Sequence, residues 1–207
     1  MHYLTRHFGE VASLTAQHLL LTGVSLAIAL TVAVPAGVLI AKRRSLGTPV
    51  LAFLGFLYTI PSLAAFGLLV PFEGLGFWTA VTALAAYAQL ILVRNIAAGI
   101  VGVEPAVVEA ARGVGMSDWQ VFWTIERPLA MPVALGGVRL AAVSLIGIAT
   151  IAALIDAGGL GMLIFAGIQQ YNVQKAVAGA SAAAVLALAA EFGLRAVERA
   201  YRRRVFG

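Results

Sequence analysis

The feature that most constrains this chain is a set of five apolar runs. Each comes close to the about 20 residues that an α-helix needs to cross a hydrocarbon core about 30 Å thick. They extend over residues 19–41, 50–70, 77–93, 132–155 and 176–194. Lys42-Arg43-Arg44 ends the first, Arg94-Asn95 the third and Arg195 the fifth. An open strand in lipid would strand its backbone N–H and C=O groups, so every run is predicted to be a helix. The expected fold is all-α: a polytopic membrane protein with five transmembrane helices, in which residues 1–207 form a single transmembrane domain. Composition closes off the alternatives. The chain is 61% hydrophobic and 11% charged, against about 45–50% and about 25% for soluble domains. It lacks the polar surface to wrap a soluble globule, and disorder requires the opposite balance. With no cysteine, disulfides, thiol catalysis and thiolate metal sites are excluded together.

Lysine and arginine set the expected orientation. Lys42, Arg43, Arg44, Arg94, Arg112, Arg127, Arg139, Arg195, Arg199, Arg202, Arg203 and Arg204 fall on one side, and only Arg6 and Lys175 on the other. The crowded side is predicted to be cytoplasmic, which puts the N-terminus out and the C-terminus in. The net charge of +5 is thus a matter of topology. It gathers in no basic stripe interleaved with aromatics, and nucleic acid is not expected as a partner. The first run is too long for a signal peptide and its charges follow it instead of preceding it, so it is read as a retained helix.

Loop lengths are uneven. Residues 71–76 make a very short link between the second and third runs, and residues 156–175 make a longer one containing Gly158-Gly159-Leu160-Gly161. Residues 94–131 form a long cytoplasmic loop, and long loops in compact proteins tend to carry function. Within it, Pro105 suits a first helical position, and residues 106–112 are good helix formers. Gly113 and Gly115 permit a turn. Ser117 or Asp118 can cap a second helix, on which Trp119, Phe122 and Trp123 share a face. Pro128 and Pro132 are expected to break the path into the fourth span. The predicted outcome is a helix–turn–helix elbow standing off the membrane.

In this elbow Glu109-Ala110-Ala111, Gly115, Ile125 and Pro128 fall at the spacings of the EAA loop of ABC-transporter permeases, which the segment resembles. Arg127 departs from the pattern, which has Leu there. The resemblance implies a MetI-like importer permease fold in which this loop is the coupling segment. Its short helix would sit in a groove on separate ATPase subunits and rock the spans between inward-open and outward-open states. Ala110 and Ala111 would allow close approach, Gly113 and Gly115 the turn, and Glu109 would be a polar contact or capping group, or simply a solvated charge near a helix start. The chain has no Gly-x-x-x-x-Gly-Lys-Ser/Thr phosphate loop, so ATP hydrolysis is expected of a partner and the chain itself is not expected to be an enzyme or to hold a cofactor.

Tyr58-Thr59-Ile60-Pro61-Ser62-Leu63-Ala64 is similar to a TIPSLA segment of permeases for osmoprotectants such as glycine betaine, choline and carnitine. Arg94-Asn95, Val103-Glu104-Pro105, Gly113-Val114-Gly115-Met116, residues 146–152 and Ala157-Gly158-Gly159-Leu160-Gly161 resemble the same subfamily. Asp156 departs from it, standing where Gly is usual; it is read as a solvated loop charge before a selector for cations. The resemblance implies a quaternary-amine importer with three kinds of partner: ATPase subunits, an extracytoplasmic substrate-binding protein, and a second permease subunit, identical or not. Pro61 is expected to break the second span near mid-depth, beside Tyr58, Thr59 and Ser62. There an aromatic face can pass a cation without trapping it; the alternative is a packing kink with Tyr58 as an interfacial anchor.

The remaining polar groups read as structural. Glu191 is expected to pair with Arg195 four residues on, and Arg139 to snorkel or to pair with a loop acid. His2, His7 and His18 lie at no metal-ligand spacing. Gly23, Ala27, Ala29, Ala33, Gly37, Ala183 and Ala187 offer close-approach faces within the subunit or across a dimer. Two rival readings are an amino-acid or methionine permease of similar fold, which should lack the TIPSLA segment, and an ATPase-independent secondary transporter or channel, which should place acids along its pathway.

Overall fold

The structure is a computed structural model describing Tyr3 and residues 6–207; His2 lies outside the described residues. The elements are α1 (Phe8–Lys42), α2 (Arg44–Thr59), α3 (Ser62–Glu73), α4 (Phe77–Val101), α5 (Pro105–Gly113), α6 (Asp118–Val121), a π-helical segment (Phe122–Glu126), α7 (Arg127–Ala149), a 3₁₀ segment (Ile151–Ile155), α8 (Gly161–Gln169) and α9 (Val173–Phe206). Among the described residues there is no strand. Among the described residues four helical stretches are long and apolar enough to cross a membrane, and the bent pair α2–α3 makes a fifth when counted as one span.

The central helix is α4. Its Leu84, Leu92 and Val93 are buried with Leu21, Ala29 and Ala33 of α1 and with Ala141, Leu145 and Ala149 of α7. Lipid is as apolar as leucine, so helices in a bilayer gain little by hiding apolar surface and instead gain by close approach. Two glycines show the consequence. A Cβ on Gly37 would lie 2.7 Å from Ile96 Cγ2, and one on Gly137 would collide with Asn95 Cβ. Of the seven small residues singled out in the sequence, Ala29, Ala33, Gly37 and Ala183 are buried within the chain, Ala187 is half-buried, and Gly23 and Ala27 face outward.

Helices α1, α4 and α9 run furthest past their expected ends. Helix α4 passes Arg94, whose side chain is exposed, and passes Asn95, whose Nδ2 donates to Ile91 O at 2.7 Å. A polar side chain bonded one turn back does not stop a helix. Helix α1 starts at Phe8, and α9 continues past Arg195 to Phe206.

The expected proline break before the fourth span does not occur. Helical structure is continuous from Asp118 to Ala149, with Pro128 in the first turn of α7 and Pro132 inside it. The π segment supplies the reason. Its wider turn, in which Arg127 N–H donates to Phe122 O, takes up the ring and the missing donor that would otherwise disrupt an α-helix.

The expected Glu191–Arg195 pair is also replaced. Arg139 of α7 donates to Glu191 at 2.6 Å and to Glu198 at 3.3 Å, both on α9. A guanidinium with five donors can serve two carboxylates, and among the described residues Glu191 pairs with Arg139 and not with Arg195. His18 has a structural task. Its ring is fully buried, with Nε2 3.0 Å from Ile146 O and Nδ1 accepting Leu160 N–H at 3.3 Å. Asp156 sits at φ 59°, a left-handed position that favours Gly, Asn or Asp, and is exposed.

Candidate functional site

The elbow forms for reasons visible in its residues. Pro105 occupies the first turn of α5, where a missing N–H costs nothing. The helix ends in a Schellman arrangement: Gly115 lies at φ 87°, Met116 N–H donates to Ala111 O at 3.1 Å and Gly115 N–H to Arg112 O at 2.9 Å. Only Gly115 needs the left-handed conformation; Gly113 is an ordinary helical residue. Ser117 then caps α6 in a reciprocal box with Gln120, Ser117 N–H donating to Gln120 Oε1 at 2.8 Å. Arg112 and Asp118 close the angle at 3.0 Å. The ring of Trp123 meets Trp119 at 5.3 Å and Phe122 at 5.5 Å, both edge-on.

The predicted elbow residues divide by exposure. Glu109, Ala110, Gly113 and Gly115 are exposed, Ile125 and Pro128 are half-buried, and Ala111 is buried. Ala111 therefore packs inward, which leaves close approach from outside to Ala110. Glu109 is the fifth residue of α5 and makes no capping bond; it is an exposed charge in mid-helix, neither a cap nor at the helix start. It faces a cleft shared with Lys42, Arg44 and Arg112. Elsewhere on the elbow Val114 is 80% exposed and Trp119 70% exposed.

Two anchors of the elbow were not legible in the sequence. Glu126, buried, pairs with Lys42 at the end of α1. Arg127 lays its guanidinium 4.7 Å from the Trp123 ring centroid, which accounts for a cation where the EAA pattern has Leu.

The second candidate region is the α2–α3 break. The two helices meet at 92° across Ile60 and Pro61, far more than a packing kink. Pro61 has no N–H to continue the α2 ladder, and the Ile60 carbonyl, left open at the break, accepts the Tyr87 hydroxyl of α4. Tyr87 in turn meets Tyr58 edge-on at 5.8 Å. Tyr58, Thr59 and Pro61 are exposed and Ser62 is half-buried, and α2 buries no residue at all within the chain. The only sequence signal for Tyr87 is its polar hydroxyl within an apolar run. Among the described residues no cluster of three or more His, Asp or Glu is placed to hold a metal ion.

A family model described as the binding-protein-dependent transport system inner membrane component matches residues 33–203. The chain belongs to that family. Such chains are the permease subunits of ABC transporters, not enzymes, and a partner subunit hydrolyses the ATP. This permease is 41% identical over 203 residues to the osmoprotectant import permease protein OsmW of Salmonella typhimurium, covering 96% of this chain and 94% of that one. It is 34% identical over 199 residues to the glycine betaine/carnitine/choline transport system permease protein OpuCB of Bacillus subtilis, covering 96% and 92%. Among solved structures, an inward-facing form of the MetNI methionine ABC transporter superposes with a TM-score of 0.82 at 20% identity, covering 92% of this permease and 95% of that chain. That likeness establishes the MetI-like fold.

Proposed function

We propose that this permease forms the pathway of an importer for quaternary-amine osmoprotectants of the glycine betaine, choline and carnitine class. The observation that carries this reading is similarity along nearly the whole chain to permeases named for those solutes. The methionine and amino-acid transporters share the fold at 20–21% identity and lend no comparable support to their own substrates. A self-sufficient transporter is disfavoured because Glu191, an acid within a spanning helix, is held by Arg139.

In this reading the N-terminus is outside, the C-terminus inside, and the whole chain acts as one permease domain. The elbow from Pro105 to Val121 is the coupling segment, and Glu109, Ala110 and the exposed Trp119 meet the ATPase. Continuity of the helix from Asp118 to Ala149 favours this role, because a push on α6 reaches α7 without a hinge. The α2–α3 break lines the pathway, with Tyr58 offering an aromatic face and Thr59 and Ser62 weak dipoles. A second permease copy or a homologue covers the exposed side of α2, and an external binding protein delivers the solute.

The test is uptake of radiolabelled glycine betaine, choline and carnitine into proteoliposomes holding this permease with its ATPase and binding protein. ATP-dependent accumulation of at least one of them is expected. Uptake driven by an ion gradient alone, or of methionine in preference, would overturn the reading.

A further inference from the structure

A groove of about 650 Å³ runs between α1, α4 and α7 and opens at the end of the bundle that carries the elbow. Leu30, Val34 and Val38 line one wall and Ala134 and Val138 another, while Lys42, Phe122, Trp123 and Arg127 stand at the mouth. From Leu30 to Lys42 the groove follows α1 for about 18 Å at 1.5 Å per residue. Half of a hydrocarbon core is about 15 Å. The groove is one leaflet deep.

Its mouth carries a cation not already engaged by an acid. Lys42 is neutralised by Glu126. Arg127 is exposed, and among the described residues no carboxylate pairs with it. Its guanidinium sits over the Trp123 ring, 4.7 Å from the centroid, and tryptophan concentrates at the level of lipid headgroups. The wall from α1, with Leu30, Val34, Val38 and Leu39, also argues against a second transmembrane helix as occupant, since helix–helix contacts in membranes favour small residues.

We propose that this groove seats one acyl chain of an anionic glycerophospholipid, whose phosphate is held by Arg127 beside Trp123. The seated lipid packs against the π segment at Phe122 and Trp123, the junction between elbow and α7. Lipid of that charge then steadies the part of the chain that must transmit movement, a role independent of which solute is carried.

The test uses the purified full-length chain in neutral detergent. Native mass spectrometry follows retention of dioleoylphosphatidylglycerol against dioleoylphosphatidylcholine, which share the same acyl chains. Phosphatidylglycerol is expected to be retained about fivefold more strongly, the ratio one basic residue near a charged surface contributes. Arg127→Gln removes that preference and Arg127→Lys keeps it. Ala134→Phe, which fills the groove, lowers occupancy by both lipids. Equal retention of the two lipids by the wild type, or an unchanged preference in Arg127→Gln, overturns the proposal. So does a disulfide formed between two copies of a Val34→Cys variant, which would show a second chain in the groove.

Discussion

Lys42, the last residue of α1, places its ammonium on the carboxylate of Glu126, 84 positions later in the chain. Glu126 belongs to the π segment and its side chain is 9% exposed, while that of Lys42 is 40% exposed. The pair fastens the first long helix to the root of the elbow.

Removing one partner should therefore cost more than removing both charges. Lys42→Ala strands a buried carboxylate, with an expected loss of about 2 kcal/mol, below the about 3–5 kcal/mol of a fully buried pair because lysine keeps part of its hydration. The double variant Lys42→Met with Glu126→Gln should recover most of it. Thermal unfolding in detergent checks this: a double variant no more stable than Lys42→Ala would show that the pair is not what binds α1 to the π segment.

At Gly115 the expected outcome depends on conformation, not size. No atom lies within 4 Å of a Cβ built there, yet φ is 87°. Gly115→Asn should retain transport, since asparagine accepts left-handed geometry. Gly115→Val should insert normally and lose most ATP-driven uptake, because a β-branched residue at positive φ unwinds the Schellman turn at a cost of more than about 1 kcal/mol. Matched uptake and ATPase assays would separate the two, and equal activity of both variants would remove the turn from the coupling account.

Arg139 and Arg195 provide a contrast. Arg139→Ala orphans Glu191 and Glu198 and should destabilise by about 2 kcal/mol. Arg195→Ala touches neither bond and should stay within about 0.5 kcal/mol of wild type. Chemical unfolding of the two variants decides between the bridge across helices and the local pair that spacing alone suggests.

His18 joins three parts of the chain. A carbonyl can only accept and an amide N–H can only donate, so Nε2 carries the proton toward Ile146 O and Nδ1 is bare toward Leu160. Ile146 O belongs to the last turn of α7, where carbonyls lack helical partners. His18→Ala orphans both groups at about 1–3 kcal/mol each. Amide hydrogen exchange should accelerate at residues 157–161 while α4 stays protected. Unchanged exchange there would show that the histidine does not hold the turn.

The fold was largely legible because lipid restricts a long apolar run to one conformation, and because Pro105, Gly115 and Ser117 act on their immediate neighbours. The right angle at Pro61 was half legible: proline marks the break, but only the neighbouring helix could reveal the Tyr87 hydroxyl that satisfies Ile60. The Lys42–Glu126 and Arg139–Glu191 pairs and the His18 clasp were not legible, because each joins residues more than fifty positions apart. The π segment was missed for a different reason: its residues are ordinary helix formers, and the widened turn arises from the following proline acting together with packing of Phe122 and Glu126.

The central claim is that the elbow meets the ATPase from inside the cell, and the absence of native cysteine permits a direct measurement. In the assembled transporter, Ala110→Cys should react with a membrane-impermeant maleimide in inside-out vesicles, stay unlabelled in right-side-out ones, and form a disulfide with a cysteine introduced in the ATPase groove. Labelling from the outer face, or free reaction with no cross-link to any position on the ATPase, would contradict it.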